Sequence, residues 1–200
     1  MTPKRFFDLS ATLLGLIVLT PVFLVIPIVI MLQDGGPAFF RQERIGQWGK
    51  PFKIWKFRSM VLDAAKTGEC ITIGNDPRIT PFGSWIRKYK IDELPQLFNV
   101  LCGQMSLVGP RPEIPAFIKF YNNDQRAVLL LLPGITDPAS LKYRNESEIL
   151  AQKADPHHAY VNEILPDKIN INLKYAANAG LLSDIKVIFY TLGLSSPPSI

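Results

Sequence analysis

The longest apolar stretch opens the chain. Leu9 to Gln33 contains no charged side chain; Lys4, Arg5 and Asp8 precede it and Asp34 follows it. It exceeds the ~20 residues a helix needs to cross a hydrocarbon core. It is too apolar for too long to be a signal peptide, and no small-x-small cleavage site follows it. Pro21 and Pro27 interrupt it, and each removes a backbone donor and crowds the preceding turn. The hydroxyl of Thr20 is placed to bond a carbonyl freed at Pro21. Both flanks are basic: Lys4 and Arg5 on one side, Arg41, Arg44, Lys50, Lys53, Lys56 and Arg58 on the other. The positive-inside tendency keeps both flanks in the cytoplasm. A helix that breaks at Thr20-Pro21 and leaves by the face it entered meets these facts better than a straight span; a kinked spanning helix is the alternative.

Beyond Gly35-Gly36-Pro37 the periodicity shortens. Ala38 to Ile45 and Phe52 to Phe57 predict two strands around Gly46-Gln47-Trp48-Gly49, a hairpin. Met60 to residue 66 reads as a short helix, and the stretch from residue 68 to Thr80 as a loop with Asn75-Asp76-Pro77 as its turn. Pro81 to Lys90, Pro95 to Leu101 and Pro115 to Leu132 predict helices. Gly109-Pro110-Arg111-Pro112 must be extended, because a residue before proline is pushed out of the helical region. Asn172 to Leu194 predicts one or two helices broken near Gly180, and the tail from Ser195 frays. The sum is an α+β chain, mainly helical. Residues 1–36 form the membrane segment and 37–200 a small domain with one core.

Composition changes the picture in one respect. The formal net charge is +5 and the isoelectric point about 9.2, which suits an anionic partner: nucleic acid, anionic lipid or a phosphorylated substrate. The two cysteines, Cys70 and Cys102, have no metal-site spacing and read as reduced thiols.

The densest chemistry lies in Lys88-Tyr89-Lys90-Ile91-Asp92-Glu93-Leu94-Pro95-Gln96-Leu97. Two adjacent carboxylates stand among Arg87, Lys88 and Lys90, just before a proline that starts a helix and leaves backbone donors free for an anion. An aspartate can attack phosphorus. A neighbouring glutamate can act as a base or help hold a metal, and a divalent ion offsets the repulsion between the two. On a surface helix such carboxylates are usually solvated decoration, so the setting carries the argument. In Gly109-Pro110-Arg111-Pro112-Glu113 two prolines stiffen the backbone around an arginine, whose planar fork matches phosphate. Lys56 and Arg58 sit two apart and share a face if the segment is a strand. Arg78 and Arg144 are further cations for phosphate or ion pairs. Adjacent His157 and His158 would diverge rather than clamp one ion. No glycine-rich nucleotide loop and no Gly-x-Ser-x-Gly elbow occurs.

In this order the elements resemble the bacterial sugar transferase family, the monotopic phosphoglycosyl transferases. The resemblance runs through Lys56-Phe57-Arg58-Ser59-Met60, Asn75 to Thr80, Ile91 to Leu97, Asn99-Val100-Leu101, Met105 to Pro112 and, weakly, Pro133-Gly134-Ile135-Thr136. The short chain looks like the minimal catalytic unit, and Asp137-Pro138-Ala139-Ser140 looks like the subgroup that starts protein N-glycosylation with N,N'-diacetylbacillosamine phosphate. Cys102-Gly103-Gln104-Met105 departs from the Lys-Gly-Asp-Met of many relatives, which weakens any inference about the sugar.

The resemblance implies an enzyme that moves a sugar-1-phosphate from a UDP-sugar to undecaprenyl phosphate in two steps. Asp92 is the nucleophile and Mg2+ ligand, Glu93 its assistant, and Arg111 a phosphate or nucleotide contact. Lys56, Arg58, Arg78, Glu113 and Arg144 are further substrate-binding candidates. It also implies a re-entrant hairpin, amphipathic helices along the membrane plane, and a place on the cytoplasmic face of a bacterial inner membrane with both chain ends cytoplasmic. Expected partners are UDP-sugar, undecaprenyl phosphate, membrane lipid and later glycosyltransferases, and not nucleic acid. A hexose-1-phosphate transferase priming capsule or exopolysaccharide is one rival reading. A membrane-anchored basic binding module is another.

Overall fold

In the computed structural model, residues 2–64 and 71–195 are described. Two helices come first. The first, α1 (Pro3–Val18), is capped by the Thr2 hydroxyl, which accepts from the Arg5 N–H at 3.3 Å. The second, α2 (Thr20–Asp34), follows Leu19 directly, and the two axes differ by 61°. At the bend the Thr20 hydroxyl donates to the Leu16 carbonyl at 3.0 Å, one of the last carbonyls of α1, where a helix end leaves acceptors short of backbone donors. Pro27 lies inside α2 without ending it. Among the described residues no single helix is long and apolar enough to cross a membrane; only the bent pair together is. Its outer surface is apolar and open: Ile17 is 71% and Leu32 81% exposed.

Both feet of this pair rest on the same body. At the start of α1, Lys4 bonds Asp184 and the Val108 carbonyl, and Arg5 bonds the carbonyls of Val100 and Leu101. Buried Asp8 accepts from the Ser106 hydroxyl at 2.8 Å. At the end of α2, Asp34 takes both arms of Arg58, at 2.5 and 2.6 Å. The charges that bracket the apolar run in sequence therefore clamp the helix pair to the rest of the chain.

Strands β1 (Phe39–Ile45) and β2 (Pro51–Phe57) pair antiparallel, Phe39 opposite Phe57 and Ile45 opposite Pro51. Helices α3 (Pro81–Lys88) and α4 (Gln96–Leu101) follow, with a 3-10 turn (Ile91–Glu93) between them. Ile26 and Ile30, one turn apart on α2, pack with Phe57 and Ile86 into one cluster. Fully buried Asn99 joins α4 to β2 as a strand would: it accepts from the Trp55 N–H at 3.0 Å and donates to the Lys53 carbonyl at 2.9 Å.

Two short parallel strands, β3 (Ser106–Val108) and β4 (Gly134–Thr136), were not evident in the pattern. Gly109 and Gly134 meet there so closely that a side chain on Gly134 would fall 2.1 Å from the Gly109 nitrogen, which only glycine permits. The expected helix from Pro115 to Leu132 is not continuous. It is α5 (Pro115–Ile118) and then a 3-10 turn (Gln125–Leu130). Between them Asn122 and Gln125 each accept the other's backbone N–H, a local arrangement that competes with the helix. Short helices α6 (Pro138–Lys142), α7 (Glu146–Ala151) and α8 (Pro156–Ala159) lead by a π turn into α9 (Leu165–Ala177) and α10 (Leu181–Thr191). The break falls at Gly180, as expected. The largest core cluster gathers Phe117, Tyr121, Leu150, Tyr160, Ile164 and Ile169. The expected short helix from Met60 lies partly, and Cys70 and the tail from residue 196 wholly, outside the described residues; Cys102 is a free, exposed thiol.

Candidate active site

The site is built on the turn between α3 and α4. Lys90 adopts φ 58° and ψ 20°, a left-handed conformation strained for a side-chain-bearing residue. It turns the chain so that Asp92 and Glu93 follow in a 3-10 turn, where adjacent side chains point about 120° apart. Both are buried, at 4% and 9% exposure. The Glu93 and Leu94 N–H groups are spent on the Lys90 and Ile91 carbonyls. These two backbone donors are therefore not free for an anion.

The two carboxylates have opposite surroundings. Glu93 accepts from Lys56 Nζ at 3.1 Å and from both arms of Arg111, one of them at 2.8 Å. Burial alone would raise its pKa, but the Arg111 and Lys56 charges outweigh it and hold the carboxyl well below its ordinary value. Asp92 receives no hydrogen bond from any side chain among the described residues. Burial, and next the charge on Glu93, push its pKa up, and Lys56, Arg87 and Lys90 pull it down only in part. One carboxylate is saturated with cations and its neighbour is bare.

Arg111 is aimed by its own backbone. Its N–H donates to Asp137 Oδ2 at 2.8 Å, and the Pro110 carbonyl accepts from the Gly134 N–H at 3.0 Å. The other oxygen of Asp137 caps α6 by accepting from Ser140 N–H at 2.6 Å. Behind the turn Glu113 is fully engaged, by the Tyr160 hydroxyl at 2.5 Å and the Ile114 N–H at 2.7 Å, with Arg44 3.8 Å away. Glu113 thus braces the turn from the cavity wall.

The remaining cationic candidates line the same cavity as Asp92 and Glu93 but differ in how they are engaged. Arg58 is spent on Asp34 and on the Pro37 carbonyl, at the foot of the helix pair. Arg78 is buried against Asp76 and the Ile71 carbonyl. Both are held in ion pairs, with Asp34 and Asp76, while still lining the cavity. Arg144 is exposed and makes no ion pair among the described residues. It lines, with Lys56, Arg87, Asp92, Glu93 and Arg111, a cavity of about 1200 Å³ whose wall also includes Phe7, Leu14 and Val18 of α1. Thr20 and Pro21 sit at the bend, away from this cluster in sequence and outside the cavity wall. Sequence reasoning gave no role to Asp137 or Arg44. Arg44 Nε is buried without a partner beside the same cavity, and nothing in a strand of mixed charge distinguishes it beforehand.

Residues 1–195 match the Bacterial sugar transferase family. A Bacillus subtilis relative named for undecaprenyl phosphate and N-acetylgalactosaminyl 1-phosphate is 47% identical over 133 residues, covering 66% of this chain and 70% of its own. A galactosyl transferase of Streptococcus agalactiae is 38% identical over 202 residues, 94% of this chain and 41% of its own. A Klebsiella pneumoniae UDP-glucose:undecaprenyl-phosphate glucose-1-phosphate transferase is 36% identical over 196 residues, 96% of this chain. The chain spans about 40% of the length of this last relative. With residues 1–195 matched and these relatives 36–47% identical, the chain belongs to the bacterial sugar transferase family.

Proposed function

We propose that the protein transfers a sugar-1-phosphate from a UDP-sugar to undecaprenyl phosphate through a covalent intermediate on Asp92. The observation that carries this reading is the bare, buried carboxylate of Asp92 beside a cation-filled one. A carboxylate without donors keeps its lone pairs for a phosphorus atom. In the first step an Asp92 oxygen bonds to the β-phosphorus. The bond from that phosphorus to the bridging oxygen breaks, and UMP leaves with the oxygen. In the second step a phosphate oxygen of the lipid bonds to the same phosphorus and the acyl-phosphate bond breaks, restoring Asp92. Glu93, ionised and saturated, is a poor base and a poor metal ligand; it holds Lys56 and Arg111 toward the diphosphate. Arg144 and Arg87 supply further positive charge.

The residues fit a magnesium ion that arrives with the diphosphate. Among the described residues no group of three or more His, Cys, Asp or Glu could hold an ion by itself; Asp92, whose oxygens accept no side-chain hydrogen bond, would be the protein's ligand to an ion brought by the diphosphate. Bound there, the ion would neutralise diphosphate charge and favour ionised Asp92.

The bent helix pair acts as a re-entrant anchor on the cytoplasmic face of the inner membrane. Its support is that both feet are clamped to one body while the outer face is apolar. On α3 a row of Phe82, Trp85 and Tyr89 rings, with Trp85 48% and Tyr89 58% exposed, suits the headgroup level. The lipid's phosphate then meets the site without its chain leaving the bilayer. For the sugar, N,N'-diacetylbacillosamine and N-acetylgalactosamine are both 2-acetamido sugars, and that class is the assignment; glucose and galactose are the hexose rivals.

Intact-mass measurement after incubation with a UDP-sugar panel and Mg2+, without lipid, tests the mechanism. The expected product is the chain plus one sugar phosphate, absent in Asp92→Asn. Turnover with no such adduct at any time, and kinetics of a ternary complex, would refute it.

A further inference from the structure

Arg58, Arg78 and Arg111 each donate to a carboxylate. Arg44, on β1, does not. Its Nη2 donates to the side-chain carbonyl of Gln42 at 2.8 Å, and its Nη1 to the Pro112 carbonyl at 3.3 Å. Glu113 Oε1 stands 3.8 Å from Nη1, too far for a hydrogen bond, and that oxygen already accepts from the Ile114 N–H. The other oxygen of Glu113 is taken by the Tyr160 hydroxyl. The guanidinium has more N–H groups than these two bonds use. The side chain is 13% exposed and lines the cavity that Asp92 lines. Burial pulls its pKa down, and the charge on Glu113 opposes this. A largely buried cation is normally bonded to an anion; this one is bonded only to neutral carbonyls.

The strand register ties Arg44 to the reacting groups. Lys56 stands opposite Phe40, so Lys56, Phe40, Gln42 and Arg44 share one face of the hairpin. All four line the cavity, and Arg41 and Glu43 of the other face do not. Lys56 donates to Glu93. The Pro112 carbonyl that Arg44 holds follows Arg111, which also bonds Glu93. The charges on Glu93 and Arg111 act on Arg44, and that on Arg44 acts on Lys56. The ladder has two different ends. At one, Phe57 packs on Ile26 and Ile30 of α2 and Arg58 holds Asp34. At the other is the hairpin turn, and Arg44 stands beside it.

An arginine with spare charge and donors suits a phosphate. Besides the transferred group, the reaction brings two phosphates here: that of the lipid, whose chain stays with the anchor, and the α-phosphate of the donor. Arg44 lies at the end of the ladder remote from the anchor. We infer that Arg44 binds the α-phosphate of the UDP-sugar, the phosphate that departs in UMP, and that Gln42 holds the guanidinium in place. As the bond from the β-phosphorus to the bridging oxygen breaks, negative charge gathers on that departing phosphate, and a fixed guanidinium there favours its release. The inference rests on the transferase reading above.

The test uses the full chain and its Arg44→Met and Arg44→Lys variants. Each is titrated calorimetrically with UMP and with uridine, which differ by the phosphate alone, in the absence of donor and lipid. The parent is expected to bind UMP more tightly than uridine by about 10- to 100-fold. Arg44→Met should lose most of that gap by weakening UMP, with uridine changed by no more than about twofold. Arg44→Lys keeps the charge without the fork and should lose part of it; it reads the same gap if Arg44→Met does not fold. In turnover the donor KM should rise by about tenfold in Arg44→Met, with the KM for undecaprenyl phosphate parental. No gap in the parent, or a parental gap in both variants, would overturn the assignment. A raised KM for undecaprenyl phosphate beside a parental gap would give Arg44 to the lipid's phosphate and overturn it equally. Failure of the parent chain to release UMP from any UDP-sugar would instead overturn the transferase reading, and the two titrations would still report on the phosphate site.

Discussion

The foot of the helix pair and the catalytic turn use the same residue types to opposite ends. At the foot, Asp34 and Arg58 close on each other, two nitrogens to two oxygens. In the loop before α3, Asp76 and Arg78 do likewise. At the turn, two cations converge on Glu93 and leave Asp92 with none. A closed pair matches its charges one to one and fixes a backbone, even where its arginine lines the cavity. An uneven cluster keeps a nucleophile bare and a guanidinium, Arg111, about 30% exposed to the cavity. The difference separates scaffold from chemistry more cleanly than charge alone.

The sharpest way to break this contrast is to remove the bare carboxylate. Asp92→Asn is near-isosteric and breaks no side-chain bond, so folding should be kept while turnover falls by about 10³-fold or more. Asp34→Asn, the same chemical change in a closed pair, should leave adduct formation nearly intact. Next in size is Arg111→Lys. It keeps the charge and loses the fork that spans both oxygens of Glu93. A fall of about 10²-fold in kcat/KM for the donor is expected, with the melting temperature little changed; parental kcat/KM would show that charge alone suffices.

The sequence announced some of this and hid the rest for physical reasons. The apolar run with its prolines, the β1–β2 hairpin and the break at Gly180 rest on local periodicity and turn chemistry, and the structure has them. The pairing of β3 with β4 joins segments 28 residues apart, each three residues long, too short to show a period. Pro133-Gly134-Ile135-Thr136 therefore carries only a weak signal in sequence, although Gly134 pins the Arg111 turn. Asp92, Glu93 and Arg111 stood out because charge next to proline is unusual. Which cation serves them did not, because Lys56, Arg58, Arg78 and Arg144 look alike until the fold pairs two of them elsewhere.

A smaller effect probes the helix pair. Arg58→Ala frees Asp34 and loosens one foot of the anchor. Transfer to undecaprenyl phosphate should slow by about tenfold, because the lipid and the site lose register. Adduct formation from soluble UDP-sugar should change by no more than about twofold, since Arg58 does not reach Glu93 or Asp92. Equal slowing of both steps would put Arg58 in the catalytic cluster after all.

The smallest expected effect is on stability and concerns the second closed pair. The hydrogen bond from Arg78, opposed by burial, holds Asp76 below its ordinary pKa of 3.8. A carboxyl whose folded pKa lies below its unfolded one contributes stability in full above the unfolded value. That contribution is lost as pH falls from the unfolded value through the folded one, below which both states bind the proton. Asp76→Asn should therefore melt below the parent at pH 7, and the gap should narrow as pH falls from about 4.5 to 3. Melting curves for both chains across that range check it. A gap that stays constant would mean that Asp76 acts there through shape and its neutral hydrogen bonds. The closed pairs would then differ from the catalytic cluster in geometry alone, not in how they hold charge.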